Sequence, residues 1–222
     1  MSKHMKHEPK KAKAKVVILI FLAFLMLGGA FSAGWYFGVD STRYKGKILL
    51  VNSENKLPAD YVPEGLVNLY EQRHSFRLAS SDIYLTRETY EAMERMFAAA
   101  EADNVNGFII TSGYRTYERQ KAIYEQSEPG YAQEPGASEH QTGLAFDVTA
   151  ENSANGFEST EQYAWLWKHA HEYGFIQRYP ANKADVTGIS YEPWHFRYVG
   201  VEAATQIYDK GITLEEFLRA AP

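Results

Sequence analysis

The chain has 222 residues, 45% of them hydrophobic, with 23 basic and 28 acidic side chains and a formal net charge of −5. It contains no cysteine, which excludes disulfides and thiolate metal sites. The first 39 residues hold six lysines and one glutamate, so residues 40–222 carry −10 and do not suit nucleic acid, which needs a basic surface.

Lys3, Lys6, Lys10, Lys11, Lys13 and Lys15 precede an uncharged run from Val16 to Val39. That run exceeds the about 20 residues needed to cross a hydrocarbon core. We expect a basic cytoplasmic tail over 1–15, a transmembrane anchor over 16–39 and one domain over 40–222. The lysine flank predicts a cytoplasmic N-terminus and an exported domain. Trp35, Tyr36 and Phe37 suit the far interface. A signal peptide cleaved after Ala30-Phe-Ser32 is the competing reading, and the apolar length past that point favours an uncleaved anchor.

Further along, Lys47 to Val51 reads as a short strand, followed by a loop with Pro58 and Pro63. Thr86 can cap a helix in which Met93, Met96, Phe97 and Ala100 form one apolar stripe. Gly107 to Thr111 is an expected strand and Tyr117 to Gln126 an expected helix. Glu128 to Ala137, with two prolines and two glycines, reads as a loop bordering a cleft. Thr160 to Tyr173 fits a helix stopped by Gly174, and Phe175 to Arg178 a strand. Glu192 is expected in a loop entering a strand from Trp194 to Val199. Thr213 and Glu216 form a capping box for a last helix. Few connections are long crossovers, so the expected class is α+β, a small antiparallel sheet flanked by helices, with the N-terminal transmembrane helix in addition.

Chemistry concentrates in Ser138-Glu-His-Gln-Thr-Gly-Leu-Ala-Phe-Asp147 and Glu192-Pro-Trp-His195. Two imidazoles and one carboxylate, His140, Asp147 and His195, can hold one Zn²⁺ and leave a position open, the layout of a catalytic rather than a structural site. Glu192 is placed to act as the base toward a water at that position. In an extended segment Leu144, Phe146 and Val148 point one way and Asp147 the other. His140 lies an odd number of residues earlier, which a continuous strand would send to the other side, and Gly143 supplies a break between them. Pro193 rules out a helical His-Glu-x-x-His arrangement. His169 and His171 are two apart on an expected helix, about 200° around its axis, and suit a solvated face better than chelation.

Together with Ser-Gly-Tyr-Arg at 112–115 and Phe196-Arg-Tyr-Val-Gly200, these motifs resemble the VanY-type D-alanyl-D-alanine carboxypeptidases, zinc peptidases of bacterial wall peptides. The resemblance runs over residues 47–219 and takes in Tyr173-Gly-Phe-Ile-Gln-Arg-Tyr-Pro180. It implies one zinc per chain on His140, Asp147 and His195, with Glu192 as catalytic base. It further implies that Arg115 binds and polarises the scissile carbonyl, with Gln120 and Ser138 lining the substrate pocket. A fixed guanidinium suits an oxyanion. The implied substrates are wall precursor stem peptides ending in D-Ala-D-Ala. The implied location is a bacterial membrane, single-pass, with the catalytic domain outside. Loss of the terminal D-Ala would destroy the ligand of glycopeptide antibiotics, which implies a role in resistance. Relatives of this kind also cut L,D bonds, so an L,D-carboxypeptidase, a dipeptidase or a wall endopeptidase stays open. A non-catalytic wall-peptide-binding module is a further alternative, against which the intact base argues. Arg178 and Arg197 can either receive a carboxylate or pair within this acidic domain.

Overall fold

The computed structural model describes residues 44–45, 48–128 and 132–220. The expected tail and anchor lie outside the described residues. Among the described residues no helix is long and apolar enough to cross a membrane.

The described strands are β1 (Tyr44–Lys45), β2 (Ile48–Leu49), β3 (Leu66–Asn68), β4 (Arg77–Leu78), β5 (Tyr84–Thr86), β6 (Phe108–Ser112), β7 (Ala145–Ala150), β8 (Phe175–Tyr179) and β9 (Glu192–Tyr198). The α-helices are α1 (Arg87–Ala102), α2 (Tyr117–Gln126), α3 (Glu161–His169), α4 (Ala184–Thr187), α5 (Val201–Lys210) and α6 (Leu214–Ala220). Two small antiparallel pairs, β1 with β2 and β3 with β5, accompany a five-stranded sheet of order β4-β6-β7-β9-β8.

Thr86 starts α1 as expected, its side chain accepting from the Thr89 N–H. The predicted stripe of Met93, Met96, Phe97 and Ala100 is buried against the sheet's apolar face. Phe97 packs on Phe108 and Phe146, with ring centroids 4.7 Å and 6.1 Å apart. Each such fully buried ring contributes about 1.5–3 kcal/mol. Phe146 and Phe196 are cross-strand partners on this face, which sends Asp147 and His195 to the other.

Several expectations need correction. The sheet is mixed, because β4 pairs with β6 in parallel while the other three pairings are antiparallel. Of the expected Lys47–Val51 strand, Ile48–Leu49 is extended as β2 while Leu50 and Val51 fall outside it. Thr160 to Tyr173 forms α3 and then tightens into a 3-10 turn over Ala170–Tyr173 before Gly174. Glu192 is inside β9, bridged to Tyr179, instead of in the preceding loop. Pro193 is tolerated there because it lies beyond the last β7 partner and opposite the irregular register between Gln177 and Tyr179.

Candidate active site

Sheet register assembles most of the site. Ser112, Asp147 and His195 occupy one row across β6, β7 and β9. His140 reaches the same point from a 3-10 turn, Glu139–Thr142, that ends at Gly143 with φ of 67°. A side chain at Gly143 would be strained by that φ and would also press on Leu66 and Thr86 at 3.1 Å. The predicted strand break is therefore a left-handed glycine.

The His140 Nδ1 lies 2.7 Å from the carbonyl oxygen of Gly113. A carbonyl can only accept, so Nδ1 carries a hydrogen, and Nε2 is the nitrogen that offers a lone pair when the ring is neutral. That Nε2 lies 3.2 Å from Asp147 Oδ2. Gly113 is needed at this position because any Cβ would run into the carbonyl oxygen of Tyr84. His195 Nδ1 lies 2.9 Å from Asp147 Oδ1.

The three residues offer ligand atoms that all lie within 4.8 Å of one another. Tetrahedral zinc with bonds of about 2.0–2.1 Å sets its ligand atoms about 3.3 Å apart, so the donor set fits such an ion. Burial works against the Asp147 carboxylate, but the two imidazoles outweigh it and hold its pKa well below the usual range. Burial also opposes a charged His195, yet Asp147 and Glu139 overcome this and push it up to about 9. A proton and a metal therefore compete for this ring. Burial holds His140 below the ordinary imidazole range despite Asp147.

Arg115, Gln120, Ser138, Glu192 and all three cluster residues line one cavity of about 570 Å³. Ala132 and Gln133 complete part of its wall, so the loop before the metal motif borders the cleft as expected. Glu192 Oε2 is 3.9 Å from His195 Nδ1. Burial lifts the Glu192 carboxyl above its usual range, against the pull of His195. The Arg115 guanidinium is held on three sides, donating to Ser112 Oγ at 3.3 Å, Gln120 Oε1 at 2.8 Å and Asp147 Oδ2 at 3.5 Å. Gln120 in turn donates to the Gln133 carbonyl at 2.7 Å, so its amide is largely engaged within the protein and steadies Arg115. Ser138 is buried on the cavity wall and its hydroxyl makes no capping bond to the turn that follows.

Sequence reasoning missed the floor beneath these groups. Glu139, between two residues singled out by the motif, is wholly buried and its Oε1 accepts from Arg178 Nε at 2.7 Å and an Arg197 terminal nitrogen at 2.9 Å. Arg178 also makes a two-pronged pair with Glu215 on α6, at 2.9 Å and 2.5 Å. Arg178 and Arg197 thus receive carboxylates of this chain. The available signal was an arginine inside each of two apolar strand runs, Phe-Ile-Gln-Arg-Tyr and Trp-His-Phe-Arg-Tyr. Tyr179, also unforeseen, lines the cavity with its ring 5.1 Å from that of His195.

Residues 82–201 match the family VanY, D-alanyl-D-alanine carboxypeptidase. The chain is 40% identical over 195 residues to YodJ of Bacillus subtilis (strain 168), provisionally named a carboxypeptidase, covering 81% of this chain and 70% of that one. It is 40% identical over 190 residues to the D-alanyl-D-alanine carboxypeptidase of Enterococcus faecalis (strain ATCC 700802 / V583), covering 77% of this chain and 65% of that enzyme. Among solved structures, the LD-carboxypeptidase LdcB superposes with a TM-score of 0.70 at 37% identity, over 78% of this chain and 86% of the other. The D,D-pentapeptidase VanY of a VanB-type resistance cassette, in complex with Zn(II), superposes with a TM-score of 0.63 at 37% identity, over 77% and 97%. The fold, the His-Asp-His cluster and these likenesses agree, and the chain belongs to the VanY family of D-alanyl-D-alanine carboxypeptidases.

Proposed function

We propose that this chain is a zinc-dependent carboxypeptidase that removes the terminal D-alanine from wall precursor stem peptides ending in D-Ala-D-Ala. One observation carries the reading: His140, Asp147 and His195 converge on the same cavity wall as Glu192 and Arg115. His140 Nε2, an Asp147 carboxylate oxygen and His195 Nδ1 would hold the ion. Bound zinc supplies a Lewis acid for the scissile carbonyl and acidifies a water molecule.

Glu192 accepts the proton of the attacking water and returns it to the departing amine. A carboxylate lifted by burial suits both halves of that exchange. Arg115 offers a guanidinium fixed by Ser112, Gln120 and Asp147, which favours the oxyanion that develops on the penultimate carbonyl. Ser138 donates to the peptide's free carboxylate, a role supported by its burial on the cavity wall. Loss of the terminal D-Ala by this route would remove the group that glycopeptide antibiotics bind.

A second reading, cleavage of an L,D bond with the same machinery, is supported by the likeness to LdcB. Residues 16–39 anchor the chain in the membrane with the enzyme outside, a reading supported by the lysine flank and the uncharged run.

The test is Glu192→Gln, which keeps shape and removes the proton acceptor. The variant should bind zinc as the parent does and lose at least ~10²-fold in turnover. Near-parental turnover by the zinc-loaded variant would remove the role given to Glu192.

A further inference from the structure

The two ring nitrogens of His195 meet different surroundings. Nδ1 faces Asp147 Oδ1 at 2.9 Å on the cavity side. Nε2 points inward, is buried, and has no hydrogen-bond partner among the described residues. It lies 3.5 Å from Glu139 Oε2, which is also buried and also without a partner. Two complementary polar atoms left unsatisfied side by side are costly unless they satisfy each other, and a small ring rotation would close this pair.

The rest of Glu139 is fixed. Its other oxygen, Oε1, is clamped by Arg178 and Arg197. Arg178 is tied to Glu215, and Arg197 donates to the Leu49 carbonyl at 2.7 Å. Two arginines and two glutamates balance in charge, and the geometry leaves one carboxylate oxygen to present to His195.

We propose that Glu139 is the positioning residue of His195: its Oε2 accepts the Nε2 hydrogen and so leaves the Nδ1 lone pair aimed at the metal position. The proposal rests on His195 being a zinc ligand. His140 is oriented by the Gly113 carbonyl in the corresponding way. A carboxylate behind an imidazole fixes its tautomer and makes it a more basic ligand than a carbonyl does. The competing role is purely structural, with Glu139 serving only to neutralise two buried arginines. That role does not involve the state of His195.

The experiment uses the full chain in detergent, with ¹⁵N-labelled histidine. In the zinc-loaded parent, long-range ¹H–¹⁵N spectra should show His195 protonated at Nε2, with a slowly exchanging, strongly downfield hydrogen. Glu139→Asp keeps the charge but is one methylene shorter, so it cannot hold both arginines and reach His195. Competition with a chromophoric chelator should show its zinc dissociation constant weakened 10–100-fold, and the downfield hydrogen should be lost. A folded Glu139→Asp protein with parental zinc affinity overturns the proposal. If that variant does not fold, the parent spectrum decides, and a His195 hydrogen on Nδ1, or a freely exchanging one on Nε2, overturns it. A parent chain that takes up no zinc fails at the metal reading itself, which separates the two failures.

Discussion

Asp147 and His195 are direct cross-strand partners on β7 and β9, with His195 Nδ1 2.9 Å from Asp147 Oδ1. Two of the three candidate ligands are therefore set by sheet register, and a slip of one residue would turn each of them into the apolar core. The third, His140, is set by a glycine-terminated turn instead. The site depends on rigid elements and needs no loop closure to bring its ligand atoms together.

The ligand assignment predicts the outcome of removing His140. The purified full-length chain should carry about one zinc, and His140→Ala should lose most of it. Metal analysis after dialysis checks this. Unchanged zinc content in the variant would contradict the assignment.

Arg115 should act on the reacting state more than on binding. Arg115→Ala should keep its zinc and lose about 10²–10³-fold in kcat, the scale of losing one oxyanion donor. Steady-state kinetics on a defined stem peptide separates the roles. A rise in KM with unchanged kcat would assign Arg115 to holding the substrate alone.

The convergence of His140 and Asp147 on one point was legible in the sequence because their motif is local. His140 and Asp147 sit within one short stretch, and their odd separation called for a break in the strand, for which Gly143 was the candidate. The Thr213–Glu216 capping box was legible for the same reason, and both of its reciprocal bonds form, at 2.7 Å and 3.2 Å. Long-range pairings were not legible. Glu139 meets Arg178 and Arg197 from 39 and 58 residues away, and nothing near Glu139 announces either partner. The two-residue β4 is too short to carry an alternation, so the parallel edge of the sheet left no pattern to read.

The buried ion network ties α6 to the floor of the site. Glu215→Ala would leave the Arg178 guanidinium sharing one carboxylate with Arg197. Removing one partner of a buried pair costs about 3–5 kcal/mol. Urea unfolding of the metal-free chain should show the midpoint falling by that equivalent. A change under ~1 kcal/mol would mean that water replaces the lost carboxylate.

The proposed topology predicts that protease added to wall-stripped cells degrades the domain and spares the N-terminal tail. Full protection of the domain would reverse the orientation. A mature chain beginning near Ala33 would replace the anchor with a cleaved signal peptide.

Substrate choice tests the proposed reaction most directly. The zinc-loaded chain should release D-alanine from a stem pentapeptide ending in D-Ala-D-Ala, and much less from the same peptide with its terminal carboxylate amidated. Leaving a buried donor without its ionic partner costs ~1–3 kcal/mol or more, enough for a clear difference in rate. The measurement is D-alanine release from the free-acid pentapeptide, its amide and the matching tetrapeptide, compared side by side. The free-acid pentapeptide should be cut fastest. Preference for the tetrapeptide would contradict it in favour of an L,D cut, and equal cleavage of the amide would contradict it in favour of an endopeptidase.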